Sequence, residues 1–426
     1  MSNICCLIIS QPIEDTAKIS NDRIICISKF ILLFKNERLM KKYFLIVSVI
    51  CIVFLGGCKR HDSNHSNNAV TCINEANITE VEVLSSVFTK SEIIRLETTD
   101  ESLIGRNINK IKKSHNKYFI SYGNKELIVF DRQGKFLHRI NKIGGGPGEY
   151  IFLADFDVLS NGNIIILDAK KLLFYSGTGE FIKAVPLAIT CFNLKIINEN
   201  VFLICASGEQ YSIYLIDGDG NILSKQLETN NKPVLGRTVA FFALGSHVLY
   251  QQDCSNDFLS FNTKTNEFAN INLLYGEDRI LSIETIKKEK EQDARFNSFD
   301  YVERNSIIKI ISGISTYSSN LFFVVGRPSA FKCYLMNTSG NTIDYLLTED
   351  TVNDISFTNT FSLLTRTMIS DSEDSFITNL YPYQIIDALS ENIRMNDHPN
   401  YQHLQSLFKD IQNIEDENPV LIELKR

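Results

Sequence analysis

The sequence predicts an all-β fold: a six-bladed β-propeller of four-stranded antiparallel blades, with a helical insertion and short C-terminal helices. Three observations predict it. A strand–turn–strand unit recurs, its last turn residue falling at Gly134, Gly179, Gly220 and Asn266, at steps of 45, 41 and 46 residues. Each unit has an upstream partner strand: Lys117 to Ser121, Asn163 to Asp168, Val201 to Ala206, His247 to Gln251, and later Leu321 to Val325. The intervals also lack the roughly 10–15-residue helical patterns that a parallel sheet requires. Four short strands per period of about 40–45 residues are the signature of propeller blades.

The chain of 426 residues is 44% hydrophobic and 22% charged, which excludes a wholly disordered chain and a polytopic membrane protein. Its first elements are not part of the ring. Met40-Lys41-Lys42 is basic, Tyr43 to Leu55 is almost unbroken apolar sequence, and Leu55-Gly56-Gly57-Cys58 follows. That order describes a secretory signal peptide over residues 40–57. Residues 1–39 read as an upstream start chosen in error, and the polar stretch 58–69 as a flexible tether. Residues 1–57 carry 7 Lys+Arg and 4 Asp+Glu, so of 43 basic and 50 acidic residues the mature chain keeps 36 and 46. A net charge near −10 argues against a nucleic-acid partner.

From residue 70 the hairpins follow. Leu127 to Phe136, Leu173 to Phe181, Tyr214 to Ile222 and Cys333 to Ile343 share one chemistry, with Phe258 to Phe268 a degenerate copy. Asp or Asn at the turn entry can bond its own backbone, and Gly or Asn at the exit accepts the positive φ that closes the hairpin. Asp131, Asp168 and Asp217 are read as equivalent hairpin positions. The last interval, from Asn266 to Gly340, spans 74 residues and is too long for one blade. Its excess, about 277–305, is rich in Lys and Glu at helical spacing (Glu284/Lys288, Lys287/Glu291) and reads as the insertion. Tyr381 to Ile393 and Tyr401 to Ile414 have helical periodicity, with Leu404, Leu407, Phe408 and Ile411 on one stripe. Val420 to Leu424 is a terminal strand, expected to close the ring against the region Glu92 to Glu97. The absence of Trp, against 28 Phe and 16 Tyr, excludes the Trp-Asp type of propeller.

The Leu-Gly-Gly-Cys58 stretch resembles the lipobox of bacterial lipoproteins, which implies a diacylglycerol on the Cys58 sulfur. With the Phe-Asp-x-x-Gly-x-Phe hairpin, Lys142-Ile143-Gly144-Gly145-Gly146-Pro147-Gly148-Glu149-Tyr150 and Asn418-Pro419-Val420-Leu421, the chain resembles the six-bladed propeller lipoproteins of Bacteroides-type bacteria, similar in architecture to NHL-repeat and TolB-like propellers. The resemblance covers about residues 70–426. It implies a cell-envelope protein, lipid-anchored to a membrane, that binds something.

Site candidates each carry two readings. Gly144 to Glu149 lacks the Gly-Lys-Ser/Thr ending of a P-loop and no helix follows, so it reads as a wide inter-blade turn; Glu149 and Tyr150 could still line the ring face. Asp155 and Asp157 would project to one face of a strand, where they could hold Ca²⁺ or serve as acid and base in glycoside chemistry. Strand-end hydrogen bonding is the other reading. Arg106, Arg237 and Arg327 each follow a glycine. If they share a face they would form a positive centre for a carboxylate or sulfate, and otherwise salt bridges between blades. His247 reads as a satisfied core histidine. No Gly-x-Ser-x-Gly or His-Glu-x-x-His occurs. Among Cys72, Cys191, Cys205, Cys254 and Cys333 no metal spacing appears, and one disulfide stays open. The expected function is a binding or assembly module for a glycan, a peptide or a partner protein, with no cofactor. The alternative is a metal-dependent hydrolase or lyase using the axial pocket.

Overall fold

The computed structural model describes residues 69–72, 78–105, 107–228, 240–251, 257–274, 288–289, 291–293, 304, 311–327, 330–337, 342–348, 350–409 and 416–426. Cys58, the signal segment and the tether to residue 68 lie outside them, as do Arg106 and Arg237.

Three strands precede the first full blade: β1 (Ala69–Cys72), β2 (Thr79–Glu80) and β3 (Lys90–Arg95). Blade one is β4 (Ile108–Ser114), β5 (Lys117–Tyr122), β6 (Glu126–Asp131) and β7 (Phe136–Ile140). Blade two is β8 (Asp155–Val158), β9 (Ile164–Asp168), β10 (Lys171–Tyr175) and β11 (Phe181–Pro186). Blade three is β12 (Cys191–Asn198), β13 (Val201–Ala206), β14 (Tyr211–Asp217) and β15 (Ile222–Glu228). Blade four is β16 (Phe241–Leu244), β17 (His247–Gln251), β18 (Asp257–Asn262) and β19 (Glu267–Leu274). Blade five is β20 (Ile311–Tyr317), β21 (Asn320–Arg327), β22 (Ala330–Asn337) and β23 (Thr342–Leu347). Each is an antiparallel meander, and β1 and β2 add a parallel fifth strand to the outer edges of blades four and five.

The sixth blade is composite, as the sequence predicts. A short strand β24 (Ser370–Asp371) is followed by β25 (Phe376–Leu380), and the terminal β26 (Val420–Lys425) lies between β25 and β3. Leu421 pairs with Ile94 and Asn379, so the two ends of the propeller are hydrogen-bonded into one sheet. β24 pairs in parallel with β4, carrying the sixth blade across to the first. Asn418 is the clasp behind this closure. Its buried amide accepts from the Ile104 N–H at 2.7 Å and donates to the Glu97 and Ser102 carbonyls at 2.7 and 2.9 Å.

One apolar cluster fills each gap between neighbouring blades. Phe119, Val129, Phe156 and Tyr175 pack between blades one and two, and Leu203, Leu215, Phe241 and Phe261 between three and four. Successive residues of a strand point into opposite gaps. The middle strands are therefore mostly apolar, and all five residues of β9, Asp168 at its end included, are buried. Phe and Tyr supply the bulk that the missing Trp would otherwise bring. The helices α1 (Thr360–Thr365), α2 (Pro382–Glu391) and α3 (Pro399–Phe408) cover the gap between blades five and six, where Leu404 and Phe408 join the core and Leu407 packs against it. Ile411 lies outside the described residues. Of the insertion, residues 288–289, 291–292 and 304 are helical.

The hairpin turns follow the expected chemistry. Gly134 and Gly220 both have φ +83, and Asn266 has φ +58. Asp131 Oδ1 accepts from Gln133 N and Lys135 N, and Asp217 Oδ1 from Asp219 N and Asn221 N. In blade two the equivalent acceptor is Ser176, whose Oγ receives Thr178 N and Glu180 N. The expectation for Asp168 is therefore corrected: it ends β9, one strand earlier, and accepts from Ile151 N and Phe152 N at 3.1 and 3.3 Å.

Candidate functional site

The first strands of the blades, β4, β8 and β12, stand side by side at the ring axis. In β4, Ile111 enters the gap between blades six and one, which turns Lys110 and Lys112 toward blade two. Their partners there are Asp155 and Asp157 on β8, with Lys110 Nζ 2.8 Å from Asp155 Oδ1 and Lys112 Nζ 2.7 Å from Asp157 Oδ1. The second oxygen of each carboxylate reaches on to blade three, accepting from Leu194 N at 2.9 Å and Ile196 N at 2.8 Å. The relay is completed by Asp371 on β24, which receives Lys112 at 3.0 Å and Lys195 of β12 at 2.7 Å. Blades three and six are opposite in a ring of six, so Lys195 spans the axis.

All six side chains are buried or nearly so. Burial works against the charge on Lys110, but Asp155, Asp157 and Asp371 overcome it and raise its pKa above the ordinary lysine value. Burial likewise opposes ionisation of Asp157 and Asp371. Lys112, Lys195 and Lys110 together hold both carboxyls below the usual carboxylate range. A second group sits beside the relay: Lys113 contacts Glu423 at 2.7 Å and Asp374 at 2.9 Å, and Tyr118 donates to Glu423 at 2.6 Å. Burial and that hydrogen bond push the Tyr118 hydroxyl up.

Below the relay, on the face where β4, β8, β12 and β16 end, a cavity of about 670 Å³ opens to solvent. Lys112, Lys195 and Asp157 lie at its floor, and His115, Glu199 and Glu373 at its mouth. The rim is stitched blade to blade. His115 Nε2 is 2.8 Å from the Ser160 carbonyl, and Glu199 accepts from both the N–H and the hydroxyl of Ser160.

Of the residues singled out in the sequence, Asp155 and Asp157 converge on the axis, on one face as expected, and each is bound by lysine. Among the described residues no group of three or more His, Cys, Asp or Glu side chains is arranged to hold a metal ion. Glu149 turns back on its own loop, accepting from Gly146 N at 2.8 Å, and Tyr150 is in the core with its hydroxyl donating to the Lys125 and Ile140 carbonyls. Arg327 ends β21, the second strand of its blade, where it pairs with Ala330. His247 corrects its expectation: it is half-buried on the cavity wall, outside the core. Cys191, Cys205 and Cys333 are buried free thiols.

Lys110, Lys112, Lys195 and Asp371 went unnoticed in the sequence. A signal for two of them was present. The 45-residue step from Gly134 to Gly179 also separates Lys110 from Asp155 and Lys112 from Asp157.

With this geometry in view, comparison with known proteins places the chain. The model of DUF4934, a domain of unknown function, matches residues 70–425. The chain belongs to this family. DUF4934 thus spans the whole ring, from β1 to the closing strand β26. Among solved structures, a protein of Bacteroides fragilis described as exported aligns with TM-score 0.66 and 18% identity, covering 84% of this chain and all of its own; it shares the fold. BamB of Moraxella catarrhalis aligns at TM-score 0.35 and 12% identity, over 60% of this chain and 67% of its own. A Bacteroides caccae protein of unknown function gives 0.36 and 12%, over 57% and 81%. Neither of these two bears on what this DUF4934 chain does. No curated protein sequence matches it significantly.

Proposed function

We propose that the protein is a binding or assembly module of the cell envelope, held on a membrane by lipid at Cys58, with its ligand entering the axial cavity. The cavity carries this reading: a polar hollow of about 670 Å³ over a charge-paired floor, within the usual size of ligand pockets. The floor is held by ion pairs and by main-chain N–H groups from a neighbouring blade, so it is organised before any ligand arrives. Asp155 and Asp157 are engaged by Lys110 and Lys112, and this favours binding over acid–base chemistry at the axis. The lipobox-like sequence before Cys58 supports the anchor, and the exported Bacteroides fragilis neighbour accords with an envelope location.

Two measurements test it. Cys58→Ser should move the protein from the membrane fraction to the soluble fraction; an unmodified Cys58 in the mature wild-type protein removes the anchor. Pull-down from solubilised membranes should recover a specific glycan, peptide or protein, and blocking the cavity mouth with Asn198→Trp should abolish the recovery. Recovery of background alone counts against the module.

A further inference from the structure

We infer that the axial cavity takes a short neutral glycan, its hydroxyl oxygens received by the ammonium groups of Lys112 and Lys195. The inference rests on the cavity being the binding site proposed above. It starts from a donor count. An ammonium group has three N–H donors. Among the described residues, Lys112 gives one to Asp157 and one to Asp371, and Lys195 gives one to Asp371. Three N–H groups on two lysines at the cavity floor are left for oxygen acceptors from outside the chain.

Charge balance decides what kind of acceptor. The cavity is lined by Lys112, Lys113 and Lys195 against Asp157, Glu199 and Glu373, and the relay behind it pairs Lys110 with Asp155, so the site has no surplus of cations. An anionic ligand drawn to Lys112 would also face Asp157 at the same floor, with no surplus cation to receive it. A sugar hydroxyl meets both signs at once, because it accepts from an ammonium group while donating to a carboxylate.

The wall points the same way. Its exposed side chains are all polar: His115, Ser160, Asn198, Glu199 and Glu373. Its apolar members are buried (Val158, Leu159 and Val248) or half-buried (Ile196, Ile197 and Ala243), so a peptide with bulky apolar side chains finds little surface to pack against. Glu373 is exposed and has no partner among the described residues, which leaves its carboxylate available to a ligand hydroxyl at the mouth.

The test is isothermal titration of the mature chain with three sets of probes: short neutral oligosaccharides, the same oligosaccharides carrying uronate units, and tripeptides. A neutral oligosaccharide should bind, and its affinity should stay flat as salt rises, because no net charge is neutralised. Glu373→Ala, at an exposed position with no partner among the described residues, should weaken it by about tenfold, the scale of one hydrogen bond to a charged or polar group. So should Asn198→Ala, at an exposed position whose Oδ1 also accepts from Asn200 N in its turn. If only the uronate probes or the tripeptides bind, with affinity that falls as salt rises, the cavity remains a binding site and the neutral-glycan inference is overturned. If a neutral glycan binds but neither variant affects it, the site is overturned. If no probe of any set binds, the inference fails, and the membrane pull-down then decides separately whether the module has a protein partner.

Discussion

Lys195 of the third blade and Asp371 of the sixth, 176 residues apart in sequence, meet at 2.7 Å across the ring axis. Neither strand is hydrogen-bonded to the other, so this contact joins opposite sides of the ring directly. A buried ion pair gives up hydration for geometry, and removing one partner leaves an uncompensated charge inside. Asp371→Leu should therefore cost about 3–5 kcal/mol, because it strips both Lys195 and Lys112 of an acceptor. The double change Lys195→Met with Asp371→Leu should be less damaging than the sum of the single changes. It leaves Lys110–Asp155 and Lys112–Asp157 as two balanced pairs. Urea denaturation of the four proteins measures the coupling, and simple additivity would show that the cross-axis pair does not act as a unit.

The same relay sets an acid limit. Lys112, Lys195 and Lys110 hold Asp157 and Asp371 below the usual carboxylate range despite burial, and Lys113 with Ser372 brings Asp374 down to about 2. A carboxyl whose pKa is depressed by folding stabilises the protein at pH values above its unfolded pKa. That contribution disappears as pH falls through the folded value. Asp155 acts in the opposite direction, since burial pushes it up against Lys110, and it softens the slope. Stability should be level from neutral pH to about 5 and fall steeply from about pH 4 toward pH 2. Urea midpoints measured across that range check it; a flat profile would mean that the three carboxyls ionise alike in the folded and unfolded chains.

A turn prediction separates backbone strain from collision. Gly123 and Gly134 both occupy the left-handed region, at φ +60 and +83. A Cβ at Gly123 meets nothing within 4 Å, whereas one at Gly134 would run into the Arg95 carbonyl of the closing strand β3. Gly123→Ala should cost only the left-handed penalty, about 1–2 kcal/mol. Gly134→Ala should cost clearly more and shift the thermal midpoint further. Equal shifts would mean that β3 yields at no cost.

These positions also show what was legible in sequence. Turn chemistry is local: Asp131 bonds N–H groups two and four residues on, so its role is readable from one short window. The blade period is readable because Gly134, Gly179 and Gly220 repeat it, and applied to the strands it aligns Lys110 with Asp155. The pairing of Lys195 with Asp371 has no such signal. It depends on the ring closing on six blades, with the insertion between the fourth and fifth breaking the count. Asp168 was misplaced for a related reason, since an Asp before a turn looks the same at either end of a blade's middle strands.

The closure itself gives the last prediction. β26 is held between β25 and β3, and Asn418 at its start is buried with its amide oxygen receiving one N–H and its amide nitrogen giving two. Asn418→Ala removes all three hydrogen bonds and leaves the Ile104 N–H and the Glu97 and Ser102 carbonyls to find other partners, at about 1–3 kcal/mol for each that stays buried and unpaired. Asn418→Asp is the sharper probe. It keeps an acceptor for Ile104 N–H but sets a carboxylate oxygen against two carbonyl oxygens 2.7 and 2.9 Å away. It should therefore destabilise the ring at neutral pH at least as much as alanine does, although it is the smaller change in shape. Hydrogen exchange should locate the loss first in β26 and β3. Exchange that rises uniformly over all six blades would instead mean that the clasp and the ring unfold as one unit.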